Sequence, residues 1–227
     1  YMIAMLAMHY AGIVPVPLER NVAVARQLEI IAETDAKLYI AEKEADPAAG
    51  VPSLDIRTVC DFAGQEPCGD LAFPQGADMA EILFSTGTTG KSKGIMLSHR
   101  NNMAIAENVV RGLQMGDDNV EVIPMPTSHS HGLRRTYSNL VNGSSVVFCD
   151  GVVAIKRMFN LMDEYHATAM DLAPSMLSII FKLSKDRLGD YADKLDYVQL
   201  GSAPLAEDDK LHLARLLPKT RLYNFYG

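Results

Sequence analysis

The residues best suited to chemistry stand together: from Ser85 to Gly94 the chain reads STGTTGKSKG, built only from hydroxyl residues, glycines and lysines. Without one apolar side chain, this segment cannot contribute to a core. Glycines let backbone N–H groups approach a ligand closely, hydroxyls add hydrogen-bond donors and lysines add positive charge, a combination that suits the cradling of phosphates. Apolar triplets flank it, Ile82-Leu83-Phe84 before and Ile95-Met96-Leu97 after, so the expected context is strand, exposed loop, strand. An ordinary hairpin loop could share this composition.

A P-loop would share Gly90-Lys91-Ser92, the end of G-x-x-x-x-G-K-S/T. Its first glycine would fall at Ser85, however, and the strand-like Ile95-Met96-Leu97 follows where a P-loop needs a helix N-terminus. The segment resembles instead the phosphate-loop signature of the adenylate-forming (AMP-binding) enzyme superfamily: acyl- and aryl-CoA synthetases, luciferases and the adenylation domains of peptide synthetases. That signature runs S/T-S/T-G-S/T-T-G-x-P-K-G, and only Ser92 departs from it, in place of proline. The departure loosens the loop, since proline would fix φ, but removes no ligand group. By this resemblance Ser85, Thr86, Gly87, Thr88, Thr89, Gly90 and Lys93 bind ATP, with Thr88, Thr89 and Lys93 on the β- and γ-phosphates.

Three further segments fit the same family in the same order. Pro126, His129 and Gly132 fit its P-x-x-H-x-x-G, which implies that His129 gates or orients the carboxylate between nucleotide and acyl pocket. Gly201-Ser202-Ala203-Pro204-Leu205 resembles the G-G-A/E-x-L turn that lies along the adenine, with Ser202 in place of the second glycine. Tyr223-Asn224-Phe225-Tyr226-Gly227 resembles the start of Y-N-x-Y-G-x-T/S-E, so Asn224, Phe225, Tyr226 and Gly227 are expected at the nucleotide, Tyr226 stacked on adenine. Each has a bland alternative: a satisfied loop histidine, any strand-to-helix turn, a closing strand. His129 and His131 could share a metal, but no Asp, Glu or Cys at matching spacing completes such a site, and no metal ligand is assigned.

The implied reaction is attack of an acyl or aryl carboxylate on the α-phosphorus of ATP, giving acyl-adenylate and pyrophosphate, then transfer to the thiol of CoA or of a carrier protein. Peptide-synthetase adenylation domains place an aspartate in the region of Pro124–Leu133 to hold an α-ammonium group. None occurs there, so amino acids are disfavoured. The family's Mg2+ ligand, a glutamate, would lie just past Gly227, with the ribose-binding aspartate and the adenylating lysine further on. The chain opens on an uncapped apolar pattern and stops at the motif's glycine, so it is expected to be a truncated piece, inactive alone in the full reaction. Two alternatives stand beside the ligase: a P-loop NTPase, since Val146–Asp150 has a Walker B form, and a non-catalytic nucleotide-binding remnant.

Composition bounds these expectations. At 227 residues and 48% hydrophobic, the chain can bury a sizeable core. A net charge of −7 with scattered basic residues argues against a nucleic-acid partner. Cys60, Cys68 and Cys149 lack both an even count and metal-ligand spacing, which suggests reduced thiols and a cytoplasmic setting, and no stretch is apolar enough to span a membrane.

Periodicity supplies the elements that must position these residues. Residues 2–10 read as a helix, Ile13–Leu18 as a short strand broken by prolines, Val22–Ile31 as a helix and Ala36–Ala41 as a strand, together a βαβ unit. Later strands are expected at Asn119–Ile123, Ser145–Cys149, Ala167–Leu172, Asp196–Leu200 and Arg221–Phe225, with a helix after each of the second, third and fourth, that after Leu172 entered at Pro174. The expected fold is therefore α/β, a mostly parallel sheet flanked by helices. Residues 1–62 form an N-terminal segment in this scheme, 63–78 a Gly/Pro-rich linker and 79–227 the nucleotide-binding segment.

Overall fold

The computed structural model describes residues 1–42, 50–62, 64, 65, 73–85 and 92–225. Two compact units divide the chain, Tyr1–His99 and Arg100–Gly227. Of the expected linker 63–78, residues 63 and 66–72 lie outside the described residues.

In the first unit, helix α1 spans Met2–Tyr10 and α2 spans Val24–Thr34, both as expected from their apolar spacing. The strand expected at Ile13–Leu18 does not form. Its backbone donates no ladder from Pro15 or Pro17, which lack an N–H, and the pairing reduces to the Pro15 carbonyl accepting from Ile82 N–H at 3.1 Å. The expected βαβ unit thus lacks its first strand. Strand β1 (Tyr39–Ala41) pairs in parallel with β2 (Ser53–Asp55), a strand too short to show a pattern in sequence, and a 3-10 helix follows at Ile56–Phe62. Strands β3 (Met79–Phe84) and β4 (Gly94–Ser98) run antiparallel, with Leu83 opposite Ile95 and Phe84 opposite Gly94.

The second unit is a doubly wound sheet. Helix α3 (His99–Leu113) leads into β5 (Val120–Ile123), and then come α4 (Ser130–Asn142), β6 (Ser145–Phe148), α5 (Ile155–Glu164), β7 (Ala169–Leu172), α6 (Pro174–Ser184), β8 (Tyr197–Leu200), α7 (Glu207–Leu216) and β9 (Arg221–Asn224). All five strands are parallel, in the order β6-β5-β7-β8-β9. This matches the expected α/β class of a parallel sheet flanked by helices.

The two faces of the sheet differ because side chains alternate along each strand. Val122, Met170, Leu172, Val198 and Leu200 face α5, α6 and α7, whose Phe159, Met162, Leu177, Ile180 and Leu213 complete an apolar core. The opposite face carries Glu121, Ala169, Asp171, Tyr197 and Gln199, all buried. Helix α4 was not anticipated from the sequence. Its buried stripe is Arg135, Thr136, Ser138 and Asn139 beside Leu133, which shows no apolar period, and Gly143 at φ 74° ends it in the left-handed conformation that glycine adopts without strain.

Candidate functional site

At the base of the phosphate loop, the strands on either side hold the two ends of the loop together. Ser85 N–H donates to the Lys93 carbonyl at 3.0 Å, and Lys93 N–H donates to Ser85 Oγ at 3.1 Å. The Ser92 hydroxyl donates to the Ser85 carbonyl. The residue that departs from the proline of the signature thereby supplies a hydrogen bond that proline could not, which offsets some of the lost stiffness. Lys93 is exposed, and its side chain is at liberty to meet an anion. Thr86, Gly87, Thr88, Thr89 and Gly90 lie outside the described residues. The strand β4, not a helix, follows Gly94, and the pair β3–β4 is antiparallel; a P-loop joins a strand directly to a helix, so the P-loop alternative is not supported.

The other motifs collect at the carboxyl edge of the five-stranded sheet. There the chain leaves β5 for Pro124–His129, β8 for Gly201–Pro204 and β9 for Phe225. Gly201 N–H donates to the Leu172 carbonyl at 3.1 Å and Phe225 N–H to the Leu200 carbonyl at 2.7 Å, so the ladder extends as far as the candidate residues. The strand order reverses between β5 and β7, and in doubly wound sheets ligands bind in the crevice outside such a reversal. Tyr226 and Gly227 lie outside the described residues, while Asn224 ends β9 and is exposed.

His129 is the N-cap of α4, with extended backbone, and its N–H donates to the Pro126 carbonyl at 3.2 Å. Gly132, in the first turn, explains its own identity. A Cβ there would meet the Pro126 carbonyl oxygen at 2.6 Å and that of Met125 at 2.9 Å, both backbone atoms. Gly132→Ala is therefore expected to displace the Pro124–His129 segment and to destabilise the unit by about 1–3 kcal/mol, measurable by urea unfolding. An unchanged midpoint would contradict the close approach.

The residue that makes the most of this edge is one the sequence raised only as half of an incomplete metal pair. His131, in the first turn of α4, accepts or donates at both ring nitrogens: Nδ1 lies 2.8 Å from Ser202 Oγ and Nε2 lies 2.8 Å from Asp171 Oδ1. Its ring packs against Gly201, where a Cβ would come within 3.0 Å of His131 Cε1 and of Gln199 Nε2. Asp171 and Gln199 are neighbours across β7 and β8. Both are buried, and Asp171 Oδ2 and Gln199 Oε1 have no hydrogen-bond partner among the described residues. One signal was available: Asp171 is a lone charge in the otherwise apolar strand Ala169-Met170-Asp171-Leu172.

Below this edge lies a buried polar network, in which Arg135 Nη1 has no hydrogen-bond partner among the described residues. Arg135 Nη2 bonds both Glu121 carboxylate oxygens, at 2.5 and 2.6 Å, and also Tyr197 Oη at 3.1 Å. Asn139 donates to Glu121 and accepts from Asn119 at 2.7 Å. Burial works against the Arg135 charge, but the Glu121 carboxylate, with Tyr197 and Asp171, more than offsets it and holds the guanidinium above its ordinary pKa. Burial, with Glu121 next, likewise pushes the Tyr197 phenol up, so it stays a neutral hydrogen-bonding group.

Among solved structures, the chain is similar to ATP-bound MatB from Rhodopseudomonas palustris, with a TM-score of 0.87 and 22% identity over 100% of this chain and 47% of that one. It is similar also to the N-terminal subdomain of Klebsiella oxytoca NpsA in complex with 3-hydroxyanthranilyl-AMSN, with a TM-score of 0.84 and 19% identity over 100% of this chain and 56% of that one. Both likenesses concern the fold. In sequence it is 32% identical to 4-coumarate–CoA ligase-like 6 of Arabidopsis thaliana over 66% of this chain and 27% of that protein. It is 26% identical to tyrocidine synthase 3 of Brevibacillus parabrevis over 99% of this chain and 4% of that one. The chain thus spans only about a quarter or less of these two relatives. The family model described as AMP-binding enzyme matches residues 1–227, the whole length, and the chain belongs to that family.

Proposed function

We propose that the chain is the nucleotide-binding part of an ATP-dependent carboxylic acid ligase, which joins an acyl or aryl acid to AMP with release of pyrophosphate and then passes the acyl group to a thiol, that of CoA. The observation that carries this proposal is the phosphate-loop signature closed at its base by Ser85, Ser92 and Lys93 on an antiparallel hairpin. Backbone N–H groups and Lys93 neutralise the phosphates, and the turn Gly201–Pro204 with Asn224 and Phe225 receives the nucleoside. His129, at the start of α4, orients the carboxylate toward the α-phosphorus. Catalysis of this kind rests on positioning and charge neutralisation. Among the described residues no group of His, Cys, Asp and Glu could hold the metal ion that accompanies ATP in the family.

A second reading of the acid substrate is favoured by one observation. The Pro124–Leu133 segment has no aspartate, but Asp171 brings a buried carboxylate to the same edge beside Gln199, and the unpartnered oxygens of both could accept from an ammonium group. Acid-dependent ATP–pyrophosphate exchange by the ligase that carries this chain separates the two. The expected result is exchange with fatty or aromatic acids, and exchange answered only by amino acids would overturn the first substrate class in favour of the second.

A further inference from the structure

The hydrogen-bonded series Asp171, His131, Ser202 has three properties that a loop contact does not need. First, exposure rises along it: the Asp171 side chain is 0% exposed, that of His131 14%, and Ser202 is open to solvent. Second, the proton positions follow from the partners. A carboxylate can only accept, so Nε2 carries the hydrogen toward Asp171, and in the neutral ring Nδ1 then presents its lone pair to the Ser202 hydroxyl at 2.8 Å. Third, Ser202 has φ +74°, a left-handed conformation that a non-glycine residue adopts only at a cost, and it stands at the start of the connection 201–206 between β8 and α7. A serine on a strained strand-to-helix turn, hydrogen-bonded to a histidine that a buried carboxylate orients, is the arrangement of an activated nucleophile. The two ring nitrogens exchange roles relative to the serine proteases, which is chemically equivalent because either tautomer leaves one nitrogen free as base.

We propose that Ser202, His131 and Asp171 form an acyl-transfer centre that takes activated acyl groups, thioesters or activated esters, onto the Ser202 oxygen. Ser202 Oγ attacks the carbonyl carbon while its proton passes to His131 Nδ1, and the carbonyl π pair moves to oxygen. When the carbonyl re-forms, the bond to the thiolate or alkoxide breaks, and that leaving group takes the proton from Nδ1. Water then attacks the acyl-serine, giving its proton to Nδ1 and releasing the carboxylic acid as Oγ recovers a proton. Ser202 and His131 are the catalytic residues, and Asp171 is a positioning residue that fixes the tautomer. Neither ATP nor the phosphate loop takes part in this step, although Ser202 belongs to the turn that the ligase proposal gives to the nucleoside, so the two reactions would compete for one site.

The test is to treat the 227-residue chain with a fluorophosphonate, which bonds an activated serine with loss of fluoride, and to locate the adduct by peptide mass spectrometry. The expected result is a single adduct on Ser202, lost in Ser202→Ala and retained in Ser178→Ala. The rate should fall roughly 10²–10⁴-fold in His131→Gln. In Asp171→Asn the amide can donate to Nε2, which moves the ring proton to Nδ1. Nitrogen-15 spectra should show that exchange of tautomer along with a comparable loss of rate, a signature that a merely structural aspartate would not give. No adduct on Ser202 in the unmodified chain would overturn the proposal whether or not the variants fold. So would an unchanged labelling rate in a His131→Gln variant whose thermal unfolding remains cooperative.

Discussion

Arg135→Ala destabilises the Arg100–Gly227 unit by about 3–5 kcal/mol, because it leaves the Glu121 carboxylate buried without its countercharge. The loss follows from the network rather than from the one pair. Tyr197 loses the guanidinium as donor, and Asn139 alone remains on Glu121. Its pH dependence has a definite sign. Burial raises the Glu121 pKa and Arg135 opposes that rise, so in the variant the folded-state pKa stands above the unfolded value. A group of that kind contributes stability below its unfolded pKa and loses it as pH rises through the folded value, so the variant is least stable relative to the parent at neutral pH and regains ground on acidification. Urea unfolding at two pH values checks both the size and the sign. The double change Glu121→Leu with Arg135→Met should recover most of the loss, since it removes the stranded charge.

Lys93→Ala is expected to weaken ATP binding by about 1.5–3 kcal/mol, the worth of one charge-assisted hydrogen bond, or roughly ten- to a hundredfold in affinity by calorimetric titration. Lys93 carries this effect because its backbone is fixed at the mouth of the loop by Ser85 while its side chain is exposed. Lys91 occupies the variable position of the signature, and Lys91→Ala should cost less. A larger loss at Lys91 would point back to the P-loop alignment, which the strand β4 argues against.

What was legible in the sequence and what was not divide along physical lines. The strand–loop–strand context of Ser85–Gly94 was legible because a segment without apolar side chains between two apolar triplets cannot enter a core. Strands β5 to β9 and helices α5 to α7 were legible because they bury a continuous apolar face, and apolar spacing records that face directly. The strand expected at Ile13–Leu18 failed where β-branched residues argued for extension but Pro15 and Pro17 removed the donors a ladder needs. Helix α4 escaped notice because it packs on the polar face of the sheet, where Arg135 and Asn139 meet Glu121 and no apolar stripe is required. His131 was weighed only as a metal partner of His129, because the motif names one histidine. The partners of the other lie 40 and 71 residues away on β7 and after β8, and only the topology of the sheet brings them together.

The central claim is that a carboxylate attacks the α-phosphorus of ATP in the site this chain provides. It is tested most directly by supplying the ligase that carries the chain with ATP, a thiol acceptor and a carboxylic acid labelled with oxygen-18 in both carboxylate oxygens. Attack at the α-phosphorus transfers one labelled oxygen to AMP when the acyl group departs, and mass spectrometry should find that single label in AMP, with pyrophosphate unlabelled. Formation of ADP, or label in orthophosphate or pyrophosphate with none in AMP, would contradict the account.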